Sequence, residues 1–451
     1  MTNYKNQACK GYKGYPVQQN LPFTPANVTH WCHYTRKIAC TRYTRMVMQS
    51  LCILGRQPEL GIAELESLYG AKNIQSVGDD AVIVDVDPCL IAFSRLGGSV
   101  KLAKVLTAID SNVWDDLEAF CVKVIPEHVK QVPEGKFKLG ISVHGIPVSP
   151  KRIGATALSF KKVIKASGRN VRVIPNKTMQ LSSAQVLHNQ LTGPTGWELL
   201  FVRDGKKTIL AQTIMVQDIE SYAARDQRRP KRDARVGMLP PKLAQILVNL
   251  ANGPLPAVPK TANKEVCEPP DTGAGGKTLL DPFCGTGVVL QEASLMGYDV
   301  YGTDLEPRMV DYTKTNLEWL TSGKASRVAA GDAMQTTWEP PFDLIAAETY
   351  LGRPLSQLPV PPKLALIIQD CDHIHKKFFQ NLAKQTKPGF RLCVGVPAWK
   401  TGRGFKHLPV LDHLTDMGYT RVSFVHTGED AIVYHRPDQI VGRELITLIR
   451  K

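Results

Sequence analysis

"LLDPFCGTG" occupies residues 279–287. An apolar run ends in an acid, Asp281, a proline breaks it, and Gly285 and Gly287 follow before a helical pattern resumes. Strand, tight turn and helix start in that order are the layout of a nucleotide-type ligand site. The dinucleotide fingerprint is incomplete, because "CGTGVVL" has no small residue where a third glycine belongs. A pyrophosphate needs bare N–H groups at a helix start, and here an acid and a proline stand just before them. The turn is therefore suited to a ligand with a cationic centre.

Downstream of the turn, strands and helices alternate. Strands are expected at "TLLD", "DVYGTD", "RVAAGD", "FDLIAAE" and "RLCVGV", then at "RVSFVHT", "AIVYHR" and "ELITLI", with helices between the first five. This alternation predicts a doubly wound, mostly parallel sheet whose last strands form an antiparallel hairpin. Ligands of such sheets lie outside the C-terminal strand ends, and the first four strands end in Asp281, Asp304, Asp332 and Glu348. Asp304 lies 17 residues past Gly287, near the spacing at which an acid meets ribose hydroxyls, so the ligand contains adenosine. S-adenosylmethionine satisfies both conditions, with Asp281 complementary to its ammonium or sulfonium charge. "GGKT" at 275–278 is no phosphate loop, since Asp271 stands where Walker A needs a glycine. "CDHIH" reads as a strand end with Cys371, His373 and His375 in a structural role, no second ligand cluster being evident. Cys284 is small and is expected to pack rather than to act as a nucleophile.

The rest of the 451 residues is organised around charge. The chain carries a formal net charge of +15, but its distribution is uneven. Residues 1–45 hold seven basic residues, seven aromatics and no acid; residues 46–150 hold nine basic residues against thirteen acids. Residues 151–215 hold eleven against two, residues 216–242 seven against four, and the remainder balances. A strongly basic module joined to a neutral ligand-binding half is the layout of a polyanion grip on an enzyme, and nucleic acid is the natural partner. The first 45 residues read as a poorly ordered extension or an over-long start upstream of Met46 or Met48, with a flexible RNA-binding arm as the alternative. No stretch approaches the roughly 20 apolar residues that span a bilayer, and no signal-type apolar segment opens the chain. Ten cysteines without CxxC pairs suit reduced thiols in a cytosol. "KFKLGISVHG" and "VRVIP" are expected as strands flanking the basic helix "GATALSFKKVIKASG". "SSAQVLHNQL" reads as a helix opened by Ser182 or Ser183, and a hairpin turns at Asp204-Gly205. "GMLPPKLAQILVNLA" follows a charged connector as a helix begun by Pro240-Pro241, and residues 252–276 form a Pro- and Gly-rich loop.

"DPFCGTG" with "GYDVYGTDLEP" and "GDA" resembles the amino-group type of class I S-adenosylmethionine-dependent methyltransferase. "SSAQVLHNQL" and "RDQRRPKRDARVGMLPPKLAQILVNLA" resemble the THUMP-domain tRNA guanosine methyltransferases, which make N2-methylguanosine at position 10. The matching motifs extend from about residue 46 to the end. The resemblance implies an α/β architecture: a Rossmann-like domain with a seven-stranded, mostly parallel sheet at 241–451, preceded by a ferredoxin-like domain at 46–100, a THUMP domain at 101–215 that grips the 3′ end of tRNA, and a basic linker at 216–240. It implies that Asp281, Gly285 and Gly287 line the methionine part of S-adenosylmethionine, that Asp304 holds the ribose and that Asp332 accepts from the adenine amino group. Phe283, Cys284, Leu305 and Ala333 stand beside them. Lys151, Arg152, Lys161, Lys162, Lys165, Arg169 and Arg172 are the expected phosphate contacts. In the connector, Arg225, Arg228, Arg229, Lys231, Arg232 and Arg235 either contact RNA, with Arg228, Arg229 and Arg232 foremost, or solvate a hinge.

In that family the fourth strand ends in Asp or Asn, two prolines and an aromatic, which orient the target amine and stack on its base. Here the strand runs into "AAETYLGRPL", so the resemblance puts Glu348 in the acceptor role and Tyr350, one residue early, in the stacking role, with the prolines missing. Two further readings stay open: a catalytically weakened tRNA-binding protein, and methylation of ribosomal RNA or a small molecule. A cytoplasmic monomer without metal is expected, and an activator subunit is left open.

Overall fold

The computed structural model describes residues 49–233, 239–256, 273–321 and 326–451. The extension over 1–45, Met46 and Met48, Arg235 and most of the 252–276 loop lie outside them.

The first module is one twisted α+β sheet. Its elements are β1 (Ser50–Leu54), α1 (Pro58–Tyr69), β2 (Ile74–Val77), β3 (Ala81–Val84), β4 (Ser99–Ile109), α2 (Trp114–Val129), β5 (Phe137–His144), α3 (Pro150–Ala166), β6 (Val171–Val173), α4 (Ser183–His188), β7 (Gly196–Asp204) and β8 (Lys207–Val216). The strand order is β2-β3-β1-β4-β8-β7-β5-β6. The expected division at 100/101 falls inside β4, which pairs with β1 on one side and β8 on the other, so both halves share a single sheet. α3 begins a turn earlier than its sequence pattern suggests, because Ser149 accepts from Arg152 N–H and Pro150 supplies the first helical φ. It buries Ile153, Ala157, Phe160 and Ile164 and leaves Lys162 and Lys165 exposed. α4 carries the capping box of Ser182 and Gln185, which fixes the start at Ser182.

The connector is partly helical, as α5 (Ile219–Ala223) and a following turn of π-helix. The second module contains α6 (Pro241–Asn252), β9 (Thr278–Asp281), α7 (Val288–Leu295), β10 (Asp299–Asp304), α8 (Pro307–Thr321), β11 (Arg327–Ala330), β12 (Leu344–Glu348), α9 (Pro361–Ala383), β13 (Arg391–Thr401), β14 (Gly404–Lys406), β15 (Tyr419–Arg421), β16 (Val433–Tyr434) and β17 (Val441–Arg450). Seven strands run in the order β11-β10-β9-β12-β13-β17-β15, with β14 and β16 as short additions to β13 and β17. The first five are parallel, whereas β17 is antiparallel to both neighbours. This is the expected Rossmann-like α/β sheet.

Three local expectations are corrected. No helix separates β11 from β12; Asp332 Oδ1 closes a turn on Met334 N–H, and two consecutive prolines, 340 and 341, then remove N–H donors. "RVSFVHT" leaves the sheet after Arg421, since Val425 and His426 N–H donate at 2.6 and 2.9 Å to the Glu66 carboxylate. "CDHIH" is helical, not extended. Leu364, Ile368, Cys371, His375, Phe378 and Leu382 recur at helical spacing on the buried face of α9, while His373 is exposed.

The two modules share a buried seam. Leu60 and Ala63 of α1 pack in one core with Leu243, Leu247 and Leu250 of α6 and Val289 of α7. Glu64 is fully buried there and accepts from Gly97 and Gly98 N–H at 2.9 Å each and from Asn249 at 2.7 Å. Burial pushes its carboxyl up to about 7 despite those donors.

Candidate active site

The parallel strands deliver their acids to one end of the sheet. A cavity of about 760 Å³ opens there, lined by Asp281, Asp304, Asp332 and Glu348. Phe283, Cys284, Gly285, Leu305, Ala333 and Tyr350 also line it, so ten of the residues singled out for cofactor or catalysis face one space. Gly287 stands apart from the lining. Its φ of 83° turns the chain into α7, and a Cβ there would lie 3.0 Å from the Thr313 side chain.

Asp281 is 2% exposed and accepts from Phe283 N–H at 3.0 Å. Burial pushes its carboxyl well above the usual range, and the like charges of Asp304 and Glu348 add to the effect. A carboxyl so placed is stabilised as an anion by an incoming cation. Asp304 Oδ2 accepts from Gly285 N–H at 2.8 Å and Oδ1 from Glu306 N–H at 3.0 Å, which ties the second strand end to the glycine turn. Burial raises its carboxyl too. Asp332 is half-buried, and its Oδ2 accepts from Gln335 Nε2 at 3.1 Å. Cys284 is buried, with its thiol pushed well up by desolvation, so it stays protonated and packs.

Beyond β12, Thr349 is tied down by hydrogen bonds. Its N–H donates to Gly395 O at 3.0 Å, and its hydroxyl lies 2.9 Å from that oxygen and 2.7 Å from His375 Nε2. His375 is fully buried, donates from Nδ1 to Cys371 O at 2.7 Å, and is pushed by burial down to about 4. The neutral ring thus accepts from the Thr349 hydroxyl. Glu348, one residue earlier, is held by Arg443 of β17, with Nε 2.5 Å from Oε1. Tyr350 follows, 39% exposed at the cavity.

Arg443, Gln439 and the strand-to-strand segment 438–441 are site residues that sequence reasoning missed. Their signal is weak, because they lie in and just before an antiparallel strand that no ligand motif marks. Among the described residues, no group of three or more His, Cys, Asp or Glu could hold a metal ion, and no helix is long and apolar enough to cross a membrane. Cys52, Cys121, Cys284, Cys371 and Cys393 are free thiols, but Cys89 is disulfide-bonded, which corrects the reading of all ten as reduced.

The basic residues sort by burial. Lys151, Lys162, Lys165 and Arg172 are exposed, Lys161 is half-buried, and Arg228 and Arg232 are exposed on the connector. Arg152 pairs with Asp115 at 2.5 Å and Glu118 at 2.9 Å, and Arg169 donates to the carbonyls of Val132 and Pro133. Both guanidinium groups thus engage partners within the protein. Arg225 pairs with the buried Glu292 of α7. Arg229 is 3% exposed, so it is no surface phosphate contact.

Residues 273–364 match the family described as "RMKL-like, methyltransferase domain". The tRNA (guanine(10)-N2)-dimethyltransferase of Methanothermobacter thermautotrophicus is 36% identical over 111 residues, 24% of this chain and 26% of that one. Its namesake from Pyrococcus abyssi is 35% identical over 132 residues, 28% of this chain and 33% of its own. The chain thus spans about a quarter to a third of the length of these curated relatives. The crystal structure of TrmN from Thermus thermophilus aligns over 90% of this chain and 100% of its own, at 16% identity and a TM-score of 0.45. The stretch that builds β9 to β12, with its four acids, is therefore similar to a methyltransferase domain.

Proposed function

We propose that the chain is an S-adenosylmethionine-dependent methyltransferase acting on the exocyclic amine of a guanosine in tRNA, at position 10, in the cytoplasm. The carrying observation is the row of acids at the ends of β9, β10, β11 and β12 around one cavity. The match of residues 273–364 supports the chemistry, and the named relatives support the substrate.

The donor set suits the cofactor. Asp281, buried beside like charges, is compensated by a sulfonium or ammonium, Asp304 retains lone pairs for ribose hydroxyls, and Asp332 faces the place of the adenine amine. Bound there, S-adenosylmethionine supplies an electrophilic methyl carbon. The protein's part is orientation and electrostatics. Arg443 fixes Oε1 of Glu348, leaving Oε2 to accept an N–H of the guanine amine, and the Thr349 N–H bond to Gly395 O holds the backbone that presents it. Tyr350 stacks on a base turned out of its helix. Exposed Lys151, Lys162, Lys165 and Arg172 grip the RNA backbone, and the module of residues 49–216 serves as the THUMP-type holder.

Incubation of tRNA with the protein and S-adenosylmethionine, followed by nucleoside mass spectrometry, tests the reading. N2-methylguanosine is expected, and methylation of another nucleoside would overturn the assignment. The engagement of Glu348 by Arg443 favours one second reading, a weakened enzyme that binds tRNA and cofactor. Binding of both without any methylated product would select it.

A further inference from the structure

Arg229 is a buried cation without an ion-pair partner among the described residues. It is 3% exposed, and Nε, Nη1 and Nη2 all lack a hydrogen-bond partner among the described residues. Asp226 acts on it as an opposite charge without any hydrogen bond to its guanidinium among the described residues, while Arg232 repels it. A guanidinium left unpaired away from water costs several kcal/mol, and a structural arginine does not persist in that state.

The chain around Arg229 is strapped down at both ends. On one side Arg225 Nε is 2.6 Å from Glu292 Oε1, in the second turn of α7. On the other, Asn316 of α8 accepts from Lys231 N–H at 2.9 Å, while its Nδ2 donates to Lys231 O at 2.9 Å and to Thr286 O, inside the glycine turn, at 2.8 Å. The segment 225–231 therefore runs along α7 from Glu292 toward the helix's N-terminal end, with Arg229 between the two ties. Val288 and Val289, the first residues of that helix, line the cavity, and so does Leu239, ten residues beyond Arg229. The same helix start presents unpaired N–H groups and a positive dipole end.

We propose that Arg229 is an anion-binding residue of the cofactor site, which takes the α-carboxylate of the methionine part against the first turn of α7. This rests on the functional reading above. S-adenosylmethionine carries one anionic group and two cationic centres. Asp281 and Arg229 then read the two signs of its amino-acid end, one from the tip of β9 and one from the connector. An RNA phosphate is the other anion available, but the burial of Arg229 keeps a nucleic-acid backbone away, whereas Arg228, Lys231 and Arg232 beside it are exposed. The assignment also gives the connector a task, since the cofactor would fasten it to the catalytic sheet.

Calorimetry with S-adenosylmethionine and its decarboxylated analogue, on wild-type protein, Arg229→Met and Arg229→Lys, tests this. Wild type should bind the decarboxylated compound at least about tenfold more weakly. Arg229→Met should bind both alike and weakly, Arg229→Lys should restore part of the preference, and the ligand-free melting temperature of Arg229→Met should not fall. Wild type that ignores the carboxylate, or Arg229→Met that keeps the preference, would overturn the assignment. Loss of tRNA affinity alone in Arg229→Met would give the residue to RNA instead. Failure of wild type to bind either compound would overturn the functional reading itself.

Discussion

Arg443 on β17 reaches over β13 to hold Glu348 on β12, with Nε 2.5 Å from Oε1. The strand between them carries Gly395 at the register of Glu348, and β17 pairs with that strand directly. The pair is nearly dry, the side chains being 6% and 15% exposed. Removing one partner of such a pair leaves the other charge desolvated. Arg443→Leu is expected to cost about 3–5 kcal/mol in denaturant unfolding and to reduce methyl transfer more than cofactor affinity. Unchanged stability would show that water already compensates Glu348.

Thr349 and His375 make a pH-dependent brace behind the site. Burial lowers His375 from 6.5 to about 4, so the unfolded chain takes its proton below 6.5 and the folded chain does not until about 4. Stability from this group is present above pH 6.5 and is lost as the pH falls through that window, by about 3 kcal/mol in all. Denaturation of wild type and His375→Phe at pH 7 and near pH 4 should show the variant losing less on acidification. Equal losses would contradict a neutral, buried imidazole.

Asp281 links cofactor binding to protons. Its carboxyl is raised by burial and by Asp304 and Glu348, so a cation bound beside it must drive off a proton wherever the free group is still protonated. Affinity for S-adenosylmethionine should rise with pH over that range, with proton release seen in calorimetry in buffers of different ionisation enthalpy. Asp281→Asn should abolish the release and weaken binding by roughly 1–3 kcal/mol. Binding without proton exchange at any pH would place the cation elsewhere.

The exposed lysines of α3 should act through phosphates. Affinity for tRNA should fall with salt at a log–log slope near 0.7–0.9 per phosphate neutralised. Lys162→Glu with Lys165→Glu should flatten that slope by about two phosphates and leave cofactor affinity alone. A slope indifferent to both substitutions would move the grip to another surface.

The ligand end of the second sheet was legible because its strands are short, apolar and closed by acids. "TLLD" and "DVYGTD" announce Asp281 and Asp304, and both line the cavity. The helix of "CDHIH" was not, since its buried face mixes His375 and Cys371 with the aliphatics and so hides its 3.6-residue period. Nor was the fate of the connector's arginines. Arg229 and Arg228 are adjacent in sequence and opposite in burial, and only the ties at Arg225 and Lys231 decide which faces inward. Long-range partners were invisible for the same reason: Arg443 lies 95 residues from Glu348, and nothing local to either predicts the other.

The most direct test is transfer of a tritiated methyl group from S-adenosylmethionine to tRNA by wild type and Glu348→Gln. The amide keeps the shape, but with Arg443 on its one oxygen it turns an NH2, which cannot accept, toward the guanine amine. Methyl incorporation should fall at least about tenfold, equivalent to about 1.4 kcal/mol of barrier, while tRNA affinity stays within error. A variant that transfers methyl groups at the wild-type rate would contradict the role of Glu348 and place the chemistry elsewhere in the cavity.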